Sequence, residues 1–160
     1  LPMRVHATES EKWQAVVEAI VAIRKSERPV LVGTRSIRAS EHLSQLLSAK
    51  GLSHQVLNAS HHREEAQIVA QAGQPGHITV ATNMAGRGTD IKLGRGVAER
   101  GGLHVIAAEL NDSLRIDRQL FGRCARQGDP GSAEAIISLD DEMLRRYARI
   151  PASFLSLIHI

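Results

Sequence analysis

The sequence predicts an α/β fold with a central, mostly parallel sheet and helices on both faces. Three observations carry that reading. Short apolar segments alternate with longer amphipathic ones, the order that builds βαβ units. The apolar segments are continuous rather than alternating, as strands covered on both faces are. The length of 160 residues suits one domain, and 42% hydrophobic residues with only 2% aromatics imply a core of Ala, Val, Ile and Leu.

The elements follow in order. Thr8-Glu9-Ser10-Glu11 has the form of a capping box, and Trp13, Val16, Val17, Ile20 and Ile23 recur behind it at helical spacing. That helix stops before Pro29. Pro29 to Thr34 is a buried strand, and Ser36 to Lys50 a helix with Leu43, Leu46 and Leu47 on one face and Gly51 as its stop. His54 to Asn58 is a strand, and His62 to Gln71 a helix ended at Gly73. Ile78 to Thr82 is a strand, followed by a Gly-rich loop from Asn83 to Gly96. Leu103 to Ala108 is a strand. Ser113 to Gln127 is a helix, stopped by Gly128-Asp129-Pro130-Gly131. Ala135 to Leu139 is the last strand and Asp141 to Arg149 the last helix.

Composition excludes several classes. Four aromatics are too few for a platform that stacks single-stranded bases. One Cys rules out an internal disulfide and a Cys-based zinc site. The His residues are scattered with no metal-ligand spacing, so no metal site is expected. No apolar run approaches the roughly 20 residues of a membrane span, and no apolar stretch follows Leu1-Pro2-Met3-Arg4 as in a signal peptide. The start without Met suggests a piece of a longer chain. The tail Pro151 to Ile160, with Phe154, Leu155, Leu157, Ile158 and Ile160, reads equally as a segment that packs on a neighbour or as a vector-derived tail. The expected domain therefore covers 1–149, with 150–160 as that following segment.

The useful asymmetry is 16 Arg against 4 Lys at a net charge of only +3. Arg is preferred where carboxylate or phosphate is gripped bidentately. Three segments are candidates for chemistry, because open parallel sheets bind ligands outside the carboxyl ends of their strands. Gly33-Thr34-Arg35-Ser36 can present backbone N–H groups to an anion, but an ordinary turn with Ser36 as N-cap explains it better. In Asn83-Met84-Ala85-Gly86-Arg87-Gly88-Thr89-Asp90 the glycines allow close backbone approach. Arg87 can reach a phosphate there, and Asp90 can accept from a ribose hydroxyl or a metal-bound water. The other reading is a plain surface loop. On the helix after Ser113, Arg115, Arg118, Arg123 and Arg126 fall within an arc of about 140°. A solvated Arg face is the bland reading, but Gly122 inside the helix argues for a packing or access reason.

No G-x-x-x-x-G-K-[ST] occurs. Asp140 is therefore expected as an N-cap, with Asp141 and Glu142 as first-turn acids, rather than as a magnesium site. Arg123 and Arg126 could lower the pKa of Cys124, which is read as a structural position.

Four stretches closely resemble the SecA preprotein-translocase ATPase family. They are Val30-Leu31-Val32-Gly33-Thr34, Val56-Leu57-Asn58-Ala59, Thr82-Asn83-Met84-Ala85-Gly86-Arg87-Gly88-Thr89-Asp90-Ile91 and Arg126-Gln127-Gly128-Asp129-Pro130-Gly131. They match that family's second nucleotide-binding half and correspond in type to motifs IV, V and VI of superfamily 2 helicases. The resemblance runs from about Lys12 to Arg146. It implies a RecA-like three-layer domain that closes over ATP bound with Mg2+, while an absent first half of the same chain supplies the P-loop and the main Mg2+ ligands. Arg123 and Arg126 would act as arginine fingers. Asp90, Arg87, Gly88 and Gln119 would contact the nucleotide or line its cleft. The whole protein would couple ATP hydrolysis to movement of a preprotein through a protein-conducting channel, in the bacterial cytoplasm at the inner membrane, with no nucleic acid as partner. The isolated fragment would be inactive.

Departures are local. Ala125 stands where the family has Gly, Phe121 where it often has Arg, and Glu109-Leu110-Asn111-Asp112-Ser113-Leu114 loses two basic positions. These put the partner contacts and cargo in question and leave Asp90, Arg123 and Arg126 in place. The alternatives are the second half of a nucleic-acid helicase and a non-catalytic nucleotide-sensing domain.

Overall fold

The computed structural model describes residues 1–58, 64–82, 85, 89–124 and 128–147. The elements are β1 (Met3–His6), α1 (Glu9–Arg24), β2 (Val30–Thr34), α2 (Ile37–Ala49), β3 (Gln55–Leu57), α3 (Glu65–Gln71), β4 (Ile78–Thr82), β5 (Leu103–Ala107), α4 (Leu114–Phe121), β6 (Gly131–Ser138) and α5 (Glu142–Tyr147). A 3-10 turn, Ala98–Arg100, precedes β5. The strands form one six-stranded sheet in the order β1-β6-β5-β2-β4-β3, and every pairing is parallel.

Helices cover both faces, as the sequence predicts. Val16 and Ile20 of α1 and Leu43 and Leu47 of α2 pack with Val32, Val80, Ile106 and Ile136 on one face. Ile68 and Val69 of α3 and Leu120 of α4 pack with Leu31, Leu57, Val105 and Ala135 on the other. Aliphatic side chains dominate both clusters, and each one fully buried contributes about 1.5–3 kcal/mol.

The capping box forms as read. Thr8 Oγ1 accepts from the Glu11 backbone N–H at 3.2 Å, and the Glu11 carboxylate accepts from the Thr8 N–H at 3.3 Å. Ser36 Oγ accepts from the Ala39 N–H at 3.0 Å, so the segment after β2 is the ordinary capped turn.

Several expectations are corrected. Met3–His6 forms a strand on β6 at the sheet edge. Its side chains are exposed or half-buried, so no continuous apolar run marked it. β6 begins at Gly131, four residues before the apolar run, because its amino-terminal half carries Ser132 and Glu134 into a polar network. The helix expected over Ser113 to Gln127 ends at Phe121, with Gly122 as its C-cap. After that cap the chain tightens into three-residue turns, Arg123 N–H to Leu120 O at 3.1 Å and Cys124 N–H to Phe121 O at 3.2 Å. Gly122 therefore ends the helix instead of interrupting it.

Asp140 is also reassigned. Its carboxylate accepts from the Glu9 backbone N–H at 3.1 Å and pairs with Arg145 at 2.9 Å, so it serves the first turn of α1. Asp141 is the acid that folds back on its own turn, accepting from the Ser138 N–H and Oγ, each at 3.0 Å.

Candidate functional site

The Gly-rich loop leaves β4 through a turn in which the Ala85 N–H donates to Thr82 O at 3.0 Å. Farther along, Ile91 is buried in the α3/α4 face and the Gly94 N–H donates to Gly73 O at 2.9 Å. The loop thus crosses the α3/α4 face on its way to β5. Asp90 is exposed on it. Arg87 and Gly88 lie outside the described residues.

Two close approaches seat α4 and the residues after it. A Cβ on Gly33 of β2 would lie 2.4 Å from Leu120 Cδ2, so only glycine lets α4 sit this close to the sheet. A Cβ on Gly131 would lie 1.6 Å from the Cys124 carbonyl oxygen. Gly131 pairs with Leu103, the first residue of β5. The segment around Cys124 is thus held at the amino end of the sheet, away from the strand ends where sequence reasoning looked for the site.

Arg123 reaches from this segment to the Gly-rich loop with its side chain. Its Nη2 donates to the Ala85 carbonyl at 3.2 Å, joining the segment after α4 to the Gly-rich loop. Burial pushes the Arg123 pKa below the ordinary arginine value, and the charge of Glu65, in the first turn of α3, opposes that shift. Ala85, Phe121 and Cys124 all pack against the α3/α4-face cluster, so these pieces share one apolar support. Gln119 is exposed on α4. Arg126 lies outside the described residues.

The four-arginine stripe does not form on one helix. Arg115 and Arg118 are exposed on α4, while Arg123 lies past its cap. Among the described members of this set, Arg123 is brought to the Gly-rich loop. The Ala85 carbonyl is the partner sequence reasoning missed, because a backbone oxygen leaves no spacing signal.

The Cys124 thiol moves opposite to expectation. Burial raises its pKa, and its Sγ donates to Phe121 O at 2.9 Å.

The opposite face carries a second polar centre. Lys12 Nζ, with its side chain 1% exposed, meets Asp141 at 2.5 Å and lies 4.4 Å from the Trp13 ring centroid. Nearby, burial foremost raises the Glu109 carboxyl pKa, and Lys12 partly offsets it. These residues border a groove of about 1270 Å³ between α1 and α2. Among the described residues, Asp90, Gln119 and Arg123 do not line it, whereas Ser36 does.

At the other end of the sheet, Arg28 donates to Ser132 Oγ at 2.6 Å, and Ser132 Oγ lies 2.7 Å from His104 Nδ1. His104 Nε2 is 3.1 Å from Glu134, which also holds Arg4. Arg28 can only donate, so the hydroxyl proton of Ser132 points to Nδ1 and the neutral imidazole carries its own proton on Nε2. Among the described residues, no group of three or more His, Cys, Asp and Glu is placed to hold a metal ion. Among them, too, no helix is long and apolar enough to cross a membrane.

A family model described as "SecA P-loop domain" matches residues 2–98 and 95–154. The chain belongs to the SecA family. It is 59% identical over 145 residues to protein translocase subunit SecA 2 of Magnetococcus marinus, covering 91% of this chain and 22% of that protein. It is 56% identical over 146 residues to protein translocase subunit SecA of Caldicellulosiruptor saccharolyticus, covering 91% of this chain and 17% of that protein. This SecA-family chain therefore spans about a fifth of the length of the curated relatives it matches. Among solved structures it resembles E. coli DEAD-box protein SrmB bound to the regulator RraA, with TM-score 0.71, 20% identity and coverage of 93% of this chain and 85% of that one. It also resembles DEAD-box helicase domain 2 of Mss116p bound to an RNA duplex, with TM-score 0.65, 17% identity and coverage of 92% and 59%. At these identities the likeness establishes the fold, which is RecA-like.

Proposed function

We propose that this chain, over residues 1–149, is the second RecA-like half of a SecA-type ATPase. It closes the nucleotide cleft over ATP held by a P-loop half elsewhere in the full-length protein. The supporting observation is the Arg123 guanidinium, which is half-buried and held at Ala85 O, where the finger segment and the Gly-rich loop meet. Arg keeps five donors on a rigid fork, so one bond to a carbonyl leaves others for phosphate oxygens. The donor set fits a polyphosphate anion.

In this reading Arg123 and Arg126 stabilise charge developing on the transferred phosphoryl group. Asp90 accepts from the nucleotide, and Arg87, Gly88 and Gln119 line the cleft. The bound Mg2+, with ligands from the P-loop half, neutralises phosphate charge. Hydrolysis then drives a preprotein through a membrane channel, with the motor in the bacterial cytoplasm at the inner membrane.

The test is Arg123→Ala in the full-length protein. Turnover is expected to fall by about 10³-fold or more. Turnover within roughly tenfold of the unaltered protein would remove Arg123 from the fingers. The chain by itself is expected to show no ATP hydrolysis, and Asp90→Ala to weaken nucleotide binding.

A further inference from the structure

Resting on the finger assignment just made, we propose that Asp117 is a positioning residue: it anchors the entry of α4 and so sets where that helix delivers Arg123. α4 begins without the usual anchor, because the Ser113 side chain makes no cap hydrogen bond. Asp117, in the first turn, reaches back instead. Its Oδ1 accepts from the Asn111 backbone N–H at 3.1 Å and from Asn111 Nδ2 at 2.7 Å. Both residues are buried. Asn111 lies on the segment leaving β5, and its neighbour Asp112 pairs with Arg35, just after β2, at 3.3 Å. The two bonds therefore tie α4 to the carboxyl ends of β5 and β2, not only to itself.

Asp117 and Leu120 are the two buried residues of α4. Leu120 rests on Gly33 by apolar contact, which fixes distance but not direction. A buried carboxylate is a costly way to fill space. What it adds over an apolar side chain is direction, since hydrogen bonds to it weaken steeply as they bend. Leu120 is then a pivot, and Asp117 the stop on one side of it. Arg123 lies on the other side. It moves with the helix, because its N–H donates to Leu120 O at 3.1 Å and the Gly122 N–H donates to Arg118 O at 2.8 Å. Asp117 and Arg123 are each three residues from the pivot, about 4.5 Å along a helix axis. A swing at Asp117 therefore reaches Arg123 at about the same size and in the opposite direction. A misplacement of about 1 Å in a reacting group can cost about 10²-fold in rate. Asp117 touches no substrate in this scheme and acts through Arg123.

The experiment uses the full-length SecA-family protein carrying this domain, with ATP as substrate and the variants Asp117→Leu, Asp117→Asn, Asn111→Ala and Arg123→Ala. Asp117→Leu roughly keeps the volume and removes the acceptor. It is expected to lower kcat by about tenfold or more while KM for ATP stays within about twofold, since a finger acts on charge that develops in the transition state. Asp117→Asn keeps an Oδ1 for both donors and should recover most of the lost kcat. Asp117→Leu with kcat within about twofold of the unaltered protein, beside an inactive Arg123→Ala, overturns the role of Asp117 and spares the finger. Equal loss in Asp117→Leu and Asp117→Asn overturns it too, because the acceptor would then not matter. So does a KM that rises in step with the fall in kcat, which marks damage to the whole cleft. If Asp117→Leu does not fold, Asn111→Ala decides, because it removes only the Nδ2 bond. There kcat should fall by about two- to fivefold at unchanged KM, and an unchanged kcat removes the role. If Arg123→Ala itself keeps full turnover, the finger assignment falls and Asp117's role with it.

Discussion

Gly33→Ala tests how tightly the sheet dictates the seat of α4, and through it the position of Arg123. The added Cβ would lie 2.4 Å from Leu120 Cδ2, 2.9 Å from Cδ1 and 3.2 Å from Cγ. Carbon atoms prefer about 3.5–4.0 Å, so the nearest contact is short by roughly 1.1–1.6 Å. The strand cannot retreat, because Gly33 is paired to Ala81 of β4 on one side and Ala107 of β5 on the other. Leu120 must move instead, and it is buried against Leu31, Val105 and Ala107. Overpacking of this kind costs about 1–3 kcal/mol. For a chain of this size that lowers the thermal midpoint by roughly 2–12 °C. Leu120→Ala alone leaves a cavity and costs about 2–5 kcal/mol. The double variant should lose less than the two singles together, with a coupling of about 1–2 kcal/mol, because the new methyl occupies space that Leu120 vacates. Urea denaturation of the four proteins measures all three quantities. Strict additivity, or a Gly33→Ala cost below about 0.5 kcal/mol, would mean that α4 does not sit on Gly33 as described.

Removing one half of the Lys12–Asp141 pair should be severe. Lys12→Met is expected to cost about 3–5 kcal/mol, since it strands a buried carboxylate, and Lys12→Met with Asp141→Asn should cost less than Lys12→Met alone. Equal losses in a denaturation series would refute the buried pairing. His104 makes stability depend on pH. Burial lowers its pKa below 6.5 and outweighs Glu134, which acts in the raising direction. The unfolded chain then binds the proton more readily, so this stabilisation is complete above about pH 6.5 and is lost as pH falls through the folded value. Urea midpoints at about pH 5 and about pH 7.5 should differ, and His104→Gln should shrink the difference. A difference unaltered by His104→Gln assigns the effect elsewhere.

The layer order, the aliphatic core and both N-caps were legible because each rests on local pattern. Capping at Thr8 and Ser36 involves residues three apart, and the apolar runs of β2, β4 and β5 are continuous because both sides are covered. β1 escaped notice because an edge strand in a half-exposed position needs no such run. The length of α4 was misjudged for a related reason. Periodicity carries through Gly122, and only the tertiary seat of Cys124 over Gly131 shows why the chain leaves the helix there.

By itself the sequence determined the parallel α/β architecture and the family, through long motifs whose residue types are fixed along the chain. It also pointed to Arg123 and Arg126, through resemblance to the family's finger segment and through a four-arginine helical stripe, of which Arg123 lies past the end of α4. What only the tertiary structure decided is which groups Arg123 meets. Ala85, whose carbonyl accepts from it, lies 38 residues away in the chain. Contacts of that separation depend on how two elements stack over a common sheet. That stacking is set by close approaches such as Leu120 over Gly33, and no periodicity in either segment encodes it.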